Sequence, residues 1–96
     1  MKIRFLNEME GEFDDALAYY EKHASASVAE AFIHDVEDQF SILLQYPQIG
    51  SVVAKHFRIL PLRRFPYSLI YRVSNEEIII YALTHQRRKP KYWAGR

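Results

Sequence analysis

The spacing of apolar side chains divides the chain into a strand, two helices and a group of strands. A short segment from Lys2 to Leu6 mixes apolar and basic residues and suits a strand. Apolar residues then recur at helical spacing from about residue 8 to 23. A longer helical stripe follows over Ala29, Phe32, Ile33, Val36, Phe40, Leu43 and Leu44. The connection between the two helices is short, which predicts an antiparallel helical hairpin.

Polar residues and helix breakers mark the predicted ends of these helices. Asn7, with Glu10 three residues later, is a predicted N-cap of the first helix. The segment Ser27-Val28-Ala29-Glu30 has the capping-box spacing and predicts the start of the second. Pro47 and Gly50 predict its end, because proline disfavours the helical conformation in the preceding residue and glycine accepts the conformations of a turn.

From Phe57 onward the sequence is typical of strands. Residues 57–64, 67–73 and 78–83 are rich in aromatic and β-branched side chains and are separated by short turns, which predicts an antiparallel meander. In the middle strand one face carries Tyr67, Leu69, Tyr71 and Val73, and the other carries Ser68, Ile70 and Arg72. The predicted fold is α+β: an N-terminal strand, a helical hairpin packed on a small antiparallel sheet in the order β-α-α-β-β-β, and a basic C-terminal tail.

The helices cover only one face of such a sheet. In the last strand, apolar side chains occupy both alternating sets of positions. Apolar side chains left over on the other face, or on an edge, predict a docking surface for a partner chain.

Composition narrows the class of protein. With 96 residues and 49% hydrophobic content, the chain fits one domain spanning residues 1–96. The absence of cysteine excludes disulfides and thiolate chemistry, and favours a reducing compartment such as the cytoplasm. No signal-peptide pattern or membrane-length apolar run occurs, so we expect no membrane association. His23, His34 and His56 lack metal-ligand spacing, so we expect neither metal nor cofactor.

Charge is segregated along the chain although the net charge is only +1. Residues 1–49 contain three basic and ten acidic residues, whereas residues 50–96 contain ten basic residues and only Glu76 and Glu77 as acids. If the two halves occupy different faces, the molecule is dipolar, and its basic side attracts an anionic partner.

The strongest functional signal lies in two basic and aromatic segments. The first is Arg63-Arg64-Phe65-Pro66-Tyr67-Ser68-Leu69-Ile70-Tyr71-Arg72-Val73. The second runs from Ile80 to Trp93 and ends in His85-Gln86-Arg87-Arg88-Lys89-Pro90-Lys91-Tyr92-Trp93. With the order of predicted elements, they resemble the RelE/ParE family of bacterial toxins over nearly the whole chain. The resemblance implies the toxin of a type II toxin-antitoxin module, often plasmid-borne, that arrests growth and is neutralised by a cognate antitoxin.

The family contains two activities. RelE-like members cut messenger RNA in the ribosomal A site, and ParE-like members inhibit DNA gyrase. If the chain is a nuclease, the resemblance implies catalytic roles for Arg64, His85 and Tyr92, because RNA cleavage without a metal needs cations and proton-transfer groups. A dense lysine cluster, typical of the RelE-like branch, is missing. The paired arginines before Phe65 and the long tail resemble the ParE-like branch more closely.

Gyrase inhibition is therefore the favoured prediction, and it names a set of target-binding residues: Arg58, Arg63, Arg64, Arg87, Arg88, Lys89 and Trp93. A third possibility, independent of the resemblance, is a non-enzymatic nucleic-acid-binding module that uses the basic half of the chain. Structural roles compete with these assignments. Tyr92 and Trp93 are expected to pack the tail onto the sheet. For His85, a hydrogen bond to a backbone carbonyl is an equal alternative to a functional role.

Overall fold

The computed structural model describes residues 1–96 and contains five strands, two α-helices and a short 3-10 helix. In chain order these are β1 (Lys2–Phe5), α1 (Asn7–His23), α2 (Ala26–Gln45), β2 (Ser51–Ala54), β3 (Phe57–Pro61), β4 (Tyr67–Ser74), β5 (Glu77–His85) and the terminal 3-10 helix (Tyr92–Gly95). The predicted α+β class and both helices are confirmed. Neither helix combines the length and the apolar character that crossing a membrane requires.

The five strands form one mixed sheet in the order β1-β5-β4-β3-β2. Strands β2, β3, β4 and β5 pair with one another antiparallel, and the last three form the predicted meander. Strand β1 lies parallel to β5, with Lys2 opposite Glu77 and Phe5 opposite Ile80. Parallel neighbours require a long connection, and here it includes both helices and three strands. The sheet therefore joins the beginning of the chain to its last strand.

Strand β2 is an element that the apolar pattern did not predict. It has only four residues and is joined to β3 by the two-residue turn Lys55-His56. Lys55 has a left-handed φ of 42°, a conformation that sequence analysis associates with glycine or asparagine. The turn between β4 and β5 carries the expected signal, since Asn75 occupies its left-handed position with a φ of 54°.

The caps of the helices differ from the prediction. Ser25 precedes α2, and its Oγ accepts the N–H of Val28 at 3.1 Å. Ser27 contributes indirectly, because its hydroxyl lies 3.1 Å from that of Ser25. The predicted cap at Asn7 is wrong, because Asn7 is already the first helical residue and Leu6 occupies the cap position without a side-chain hydrogen bond.

The face of the sheet that the helices cover holds the main core. Phe32 of α2 is fully buried, and its ring lies between 5.3 and 5.7 Å from four other aromatic rings, those of Phe13, Tyr20, Phe65 and Tyr67. The other buried members of this cluster are Met9, Ala16, Val36, Leu43, Leu62, Leu69, Tyr71, Ile78, Ile80 and Leu83. The helical stripe and the alternation predicted for β4 are the source of this core.

A buried tyrosine ties the loop after α2 to the core. The hydroxyl of Tyr71 accepts the N–H of Gly50 at 2.8 Å, and burial raises the pKa of Tyr71. A Cβ at Gly50 would lie 2.8 Å from the Tyr71 side chain and from the Ile59 carbonyl oxygen, so the contact needs a glycine. Arg58 fixes the same loop by donating to the carbonyl oxygens of Gln48 (3.1 Å) and Gly50 (2.7 Å).

The opposite face of the sheet carries a smaller cluster that the C-terminal tail covers. Ile70 and Ala82 are buried there beneath Trp93, which is only 4% exposed. The Phe57 ring packs 4.9 Å from the Trp93 ring. The tail therefore covers the apolar side chains that the sequence left over on this face, and the expectation of an open docking surface at that point needs correction.

An irregularity in β5 explains why apolar residues occupy both sets of positions in that strand. Ile70 pairs with Ala82, but the next residue, Tyr71, pairs with Ile80, so Tyr81 has no partner in β4. Such a bulge shifts the alternation by one residue. Ile78 and Ile80 therefore face the helices, while Ala82 faces the tail.

Candidate functional site

Two basic segments meet at one end of the sheet. The arginine loop, Leu62–Pro66, connects β3 to β4, and the tail, residues 86–96, follows β5. Tyr67, which begins β4, pairs with His85 at the end of β5. The Gln86 N–H donates to the Pro66 carbonyl oxygen at 2.9 Å. We call this region, where the loop and the tail adjoin, the basic end of the sheet.

A carboxylate on α2 fixes the arginine loop. Asp35, which is 4% exposed, accepts the backbone N–H of Arg63 at 3.1 Å and that of Arg64 at 2.8 Å. The Leu62 N–H donates to the Tyr67 carbonyl oxygen at 2.8 Å and closes the loop. Both arginine side chains are exposed, and neither forms an ion pair. The backbone of the loop is thus held by hydrogen bonds, and its two guanidinium groups form no ion pair, although Glu30 and Asp38 of α2 line the same groove.

A cleft lies between the sheet and the tail on the side away from the helices. Its apolar floor consists of Val53, Ile59, Ile70 and Trp93, and its rim carries Ser68, Thr84, His85, Gln86, Arg88, Lys89, Pro90 and Lys91. The rim contains no acid. An apolar floor beneath a cationic rim suits a partner that presents carboxylates or phosphates next to apolar groups.

The remaining cations of the tail point into solvent. Arg87 and Lys89 are exposed and form no ion pair. Arg88 stacks its guanidinium 4.0 Å above the centre of the Tyr92 ring, a cation–π contact that leaves its N–H donors available. Lys91 is likewise exposed and unpaired, so the tail adds four such cations to the two of the arginine loop.

The end of the tail is fastened to α1 through Glu12. Its carboxylate accepts the Arg96 guanidinium at 2.9 and 3.0 Å, the Tyr92 hydroxyl at 2.5 Å and the Leu83 N–H at 3.1 Å. Arg96 also donates to the Tyr81 carbonyl oxygen at 2.9 Å. Strand β1 pairs with β5 only as far as Ile80, so these bonds satisfy backbone groups of β5 beyond that pairing.

The pKa values of Tyr92 and Arg96 both reflect their hydrogen bonds to Glu12. The pKa of Tyr92 is raised, first by burial and then by its hydrogen bond to Glu12. The pKa of Arg96 is raised, chiefly because its guanidinium donates hydrogen bonds to the same carboxylate. Both groups therefore keep their protons at neutral pH.

The layers of the fold separate the charges. All ten acids of the first half of the chain lie on α1 and α2, which form the layer covering one face of the sheet. The arginine loop and the tail carry seven of the ten cations of the second half, at positions 63, 64, 87, 88, 89, 91 and 96. The molecule is therefore dipolar, with an acidic helical layer and a basic end of the sheet.

Comparison with known families identifies the chain. The model of the family described as "ParE toxin of type II toxin-antitoxin system, parDE" matches residues 3–90. The chain belongs to the ParE toxin family. It is 28% identical over 89 residues to Toxin ParE2 of two Mycobacterium tuberculosis strains, covering 93% of this chain and 85% of the relative. The resemblance inferred from the basic segments is confirmed.

A solved structure supports the fold of this ParE-family toxin. A chain from the structure titled "Chromosomal ParDE TA system from P. aeruginosa" superimposes with a TM-score of 0.77. The match covers 88% of the toxin and 95% of that chain at 23% sequence identity. At this identity the likeness establishes the arrangement of helices and strands.

The three candidate catalytic residues of the toxin do not share one site. His85 and Tyr92 line a groove against α1 together with the acids Glu12 and Asp15. Arg64 lines a different groove, beside α2. His85 Nδ1 accepts the Arg87 N–H at 3.0 Å, so a neutral imidazole carries its proton on Nε2. An RNA phosphate at the first groove would face two carboxylates against a single arginine, Arg88, and would lack Arg64.

The predicted target-binding residues divide into two groups. Arg63, Arg64, Arg87, Arg88 and Lys89 are exposed at the basic end of the sheet. Arg58 and Trp93 have structural contacts instead. The Arg58 guanidinium holds the loop after α2, and the Trp93 ring is buried against the sheet, as the packing interpretation expects. A role of these two residues in target binding stays a prediction.

Two important side chains of the toxin, Glu12 and Asp35, were missed by the sequence analysis. The helix dipole by itself favours the acids crowded at the start of α1, so their presence does not single out Glu12. A better signal for Glu12 and Asp35 is their spacing from the buried residues of their own helices. Glu12 lies three residues after the buried Met9, and Asp35 lies three residues after the buried Phe32. An acid on the apolar stripe of a helix needs a partner, because unpaired buried carboxylates are costly.

No three His, Asp or Glu side chains are placed to hold a metal ion.

Proposed function

We propose that this ParE-family toxin inhibits DNA gyrase by binding it through the basic end of the sheet. The five contributing side chains are Arg63, Arg64, Arg87, Arg88 and Lys89. Their common property carries the proposal: they come from two segments of the chain, lie at one end of the fold and have no acidic partner. Free cations held on a fixed backbone pair with carboxylates or phosphates at little entropic cost.

The same arrangement argues against messenger RNA cleavage. The Tyr92 hydroxyl donates its proton to Glu12 and has a raised pKa, which makes it a poorer acid than a free tyrosine. Arg64 lines no groove with His85 or Tyr92. A toxin that acts by binding needs no such constellation, so the geometry favours the gyrase inhibitor.

We infer further that the toxin acts in the cytoplasm, where gyrase is found, and that a cognate antitoxin neutralises it. Several large apolar side chains near the end of α2 are half exposed and give the antitoxin an attachment surface. They are Leu44 (49%), Tyr46 (61%), Ile49 (48%) and Val52 (60%). An antitoxin segment with apolar and acidic residues fits both this area and the basic end.

The decisive experiment compares gyrase supercoiling with ribosome-programmed messenger cleavage, using the same purified toxin. We expect supercoiling to be blocked and the messenger to stay intact. Two double variants, Arg63→Ala with Arg64→Ala and Arg87→Ala with Arg88→Ala, should each raise the concentration needed for half inhibition by about tenfold or more, since losing one charged contact costs at least ~1.4 kcal/mol.

A matched control is the double variant of Lys2→Ala and Arg4→Ala. It removes the same charge from exposed positions on β1, which pair with Glu77 and Ile79 at the opposite end of β5 from His85, and it should leave inhibition unchanged. Cleavage of messenger at codon positions would establish the nuclease instead. Growth of cells that express the folded chain without its antitoxin would favour a passive binding module.

A further inference from the structure

A buried acid on α2 is hydrogen-bonded to the basic end of the sheet. Phe32, Val36 and Leu43 of the same helix pack in the main core, whereas the two carboxylate oxygens of Asp35 accept hydrogen bonds from the arginine loop. One oxygen accepts the N–H of Arg63 and the other that of Arg64. No other side chain is hydrogen-bonded to these two amides. The carboxylate therefore holds the two consecutive residues whose guanidinium groups reach into solvent.

Aromatic packing secures the other side of the loop. The Phe65 ring lies 5.0 Å from that of Tyr20 and 5.3 Å from that of Phe32. The loop is thus wedged between an aromatic cluster and a carboxylate. Of these two supports, only the carboxylate bonds directly to the backbone of Arg63 and Arg64, so it sets the direction in which both side chains leave the loop.

We propose that Asp35 is a positioning residue for target binding and acts only through Arg63 and Arg64. This inference rests on the proposed function. It adds that a residue only 4% exposed, which acts through the backbone of the arginine loop, tunes the toxin's potency. The kind of partner follows from the chemistry: two guanidinium groups carried by consecutive residues of a fixed backbone pair well with carboxylates or phosphates.

The central variant is Asp35→Asn, which keeps the size of the side chain but turns one acceptor oxygen into an amide donor. At least one of the two loop N–H groups then loses its partner. We expect amide hydrogen exchange at Arg63 and Arg64 to accelerate by about tenfold or more, while exchange in β4 stays as in the wild type. Unchanged exchange at both amides would overturn the inference at its structural step.

A double-mutant cycle separates positioning from general destabilisation. Asp35→Asn should weaken gyrase inhibition by about tenfold in the wild-type background. In the background of Arg63→Ala with Arg64→Ala it should weaken inhibition by less than about twofold, because no guanidinium remains to be positioned. Equal losses in the two backgrounds would show that Asp35 does not act through the arginines.

A core variant on the same helix provides the stability control. Leu43→Ala truncates a fully buried side chain of α2 that has no hydrogen bond to the loop. It should lower Tm at least as far as Asp35→Asn, yet keep wild-type potency at a temperature where the protein is folded. If potency simply follows Tm in both variants, the positioning role is excluded.

A failure of the proposed function can be distinguished from a failure of the Asp35 inference. If wild-type toxin leaves gyrase active, gyrase inhibition is wrong, and the same cycle is then read from growth arrest at graded induction, which does not depend on the identity of the target. Coupling between Asp35 and the arginine pair in that assay supports the inference, and its absence contradicts it.

Discussion

The two faces of the sheet are covered in different ways. On one face, α1 and α2 bury a cluster of eleven side chains, from Met9 to Leu83. On the other, a single turn of 3-10 helix buries three, with Trp93 at the centre. The helices pack on the sheet through many side chains. The tail is held by the burial of Trp93 and by the hydrogen bonds that Glu12 accepts from Tyr92 and Arg96.

This difference separates stability from activity. The helical face supplies most of the buried apolar area, so it provides most of the hydrophobic stabilisation. The tail face supplies little area but carries the cations that we assign to target binding. A change on the first face should unfold the protein, and a change on the second should release the tail from a sheet that remains folded. The following predictions test this division.

The largest effect is expected from Phe32→Ala. Phe32 is fully buried among four aromatic rings, and loss of such a ring costs about 3–5 kcal/mol through lost transfer energy and the remaining cavity. This is a large share of the stability of a small domain. Urea unfolding followed by far-UV circular dichroism measures it. A loss below about 1 kcal/mol would mean that the helical face is not the main core.

Trp93→Ala should cost less, about 2–3 kcal/mol, although the side chain is larger. The tail can move away or collapse onto the sheet, so little cavity persists, and the cost of a truncation depends on how far its site collapses. We expect amide exchange to become fast in the terminal 3-10 helix and to stay slow in β5. Simultaneous loss of protection in both would contradict the proposed independence of the two faces.

Glu12→Gln should cost about 1–2 kcal/mol, because it leaves the largely buried Arg96 guanidinium without its charged partner. Thermal unfolding measures the loss. The matched control, Glu21→Gln, changes an exposed acid of the same helix and should stay within about 0.5 kcal/mol of wild type. If the two variants behave alike, the Glu12 contact contributes no more than a surface ion pair.

Alkaline pH should produce the smallest effect. The pKa values of Tyr20, Tyr67, Tyr71 and Tyr92 are all raised in the fold, with burial as the main cause. Above about pH 10 the unfolded chain therefore loses these protons first, and the free energy of unfolding falls as pH rises; below that pH they have no effect. A pH series of urea unfolding measures this.

Three of these tyrosines belong to the helical face, and only Tyr92 belongs to the tail. Tyr92→Phe should therefore leave most of the alkaline loss in place. If this variant removed most of the pH dependence, the tail would contribute more to global stability than its small cluster suggests.

The sequence predicted the elements with strong periodicity and missed the contacts between distant residues. The stripe from Ala29 to Leu43 was long enough to define α2, and the aromatic and β-branched runs defined the meander. Strand β2 was missed because it is four residues long and its turn uses Lys55 at a position where glycine or asparagine is the usual signal. The cap of α2 was placed at Ser27 because two serines compete within three residues.

The sequence predicted the exposed cations of the candidate site but not the hydrogen bonds that position them. The exposed cations of the arginine loop and the tail follow directly from the sequence. The bonds that position them join residues far apart, Asp35 with Arg64 across 29 positions and Glu12 with Arg96 across 84. No local pattern encodes such pairs. The structural contacts of Arg58 were missed for the same reason, since its partners are carbonyl oxygens of a separate loop.

The parallel pairing of β1 with β5 has a consequence for synthesis of the toxin. Arg4 and Glu77, which bond across these strands, are separated by 73 residues, so the first strand stays without its neighbour until most of the polypeptide has left the ribosome. Contacts of such long range form late in folding. A nascent or prematurely terminated chain thus lacks both the closed sheet and the fastened tail, so we expect it to be harmless to the cell that makes it.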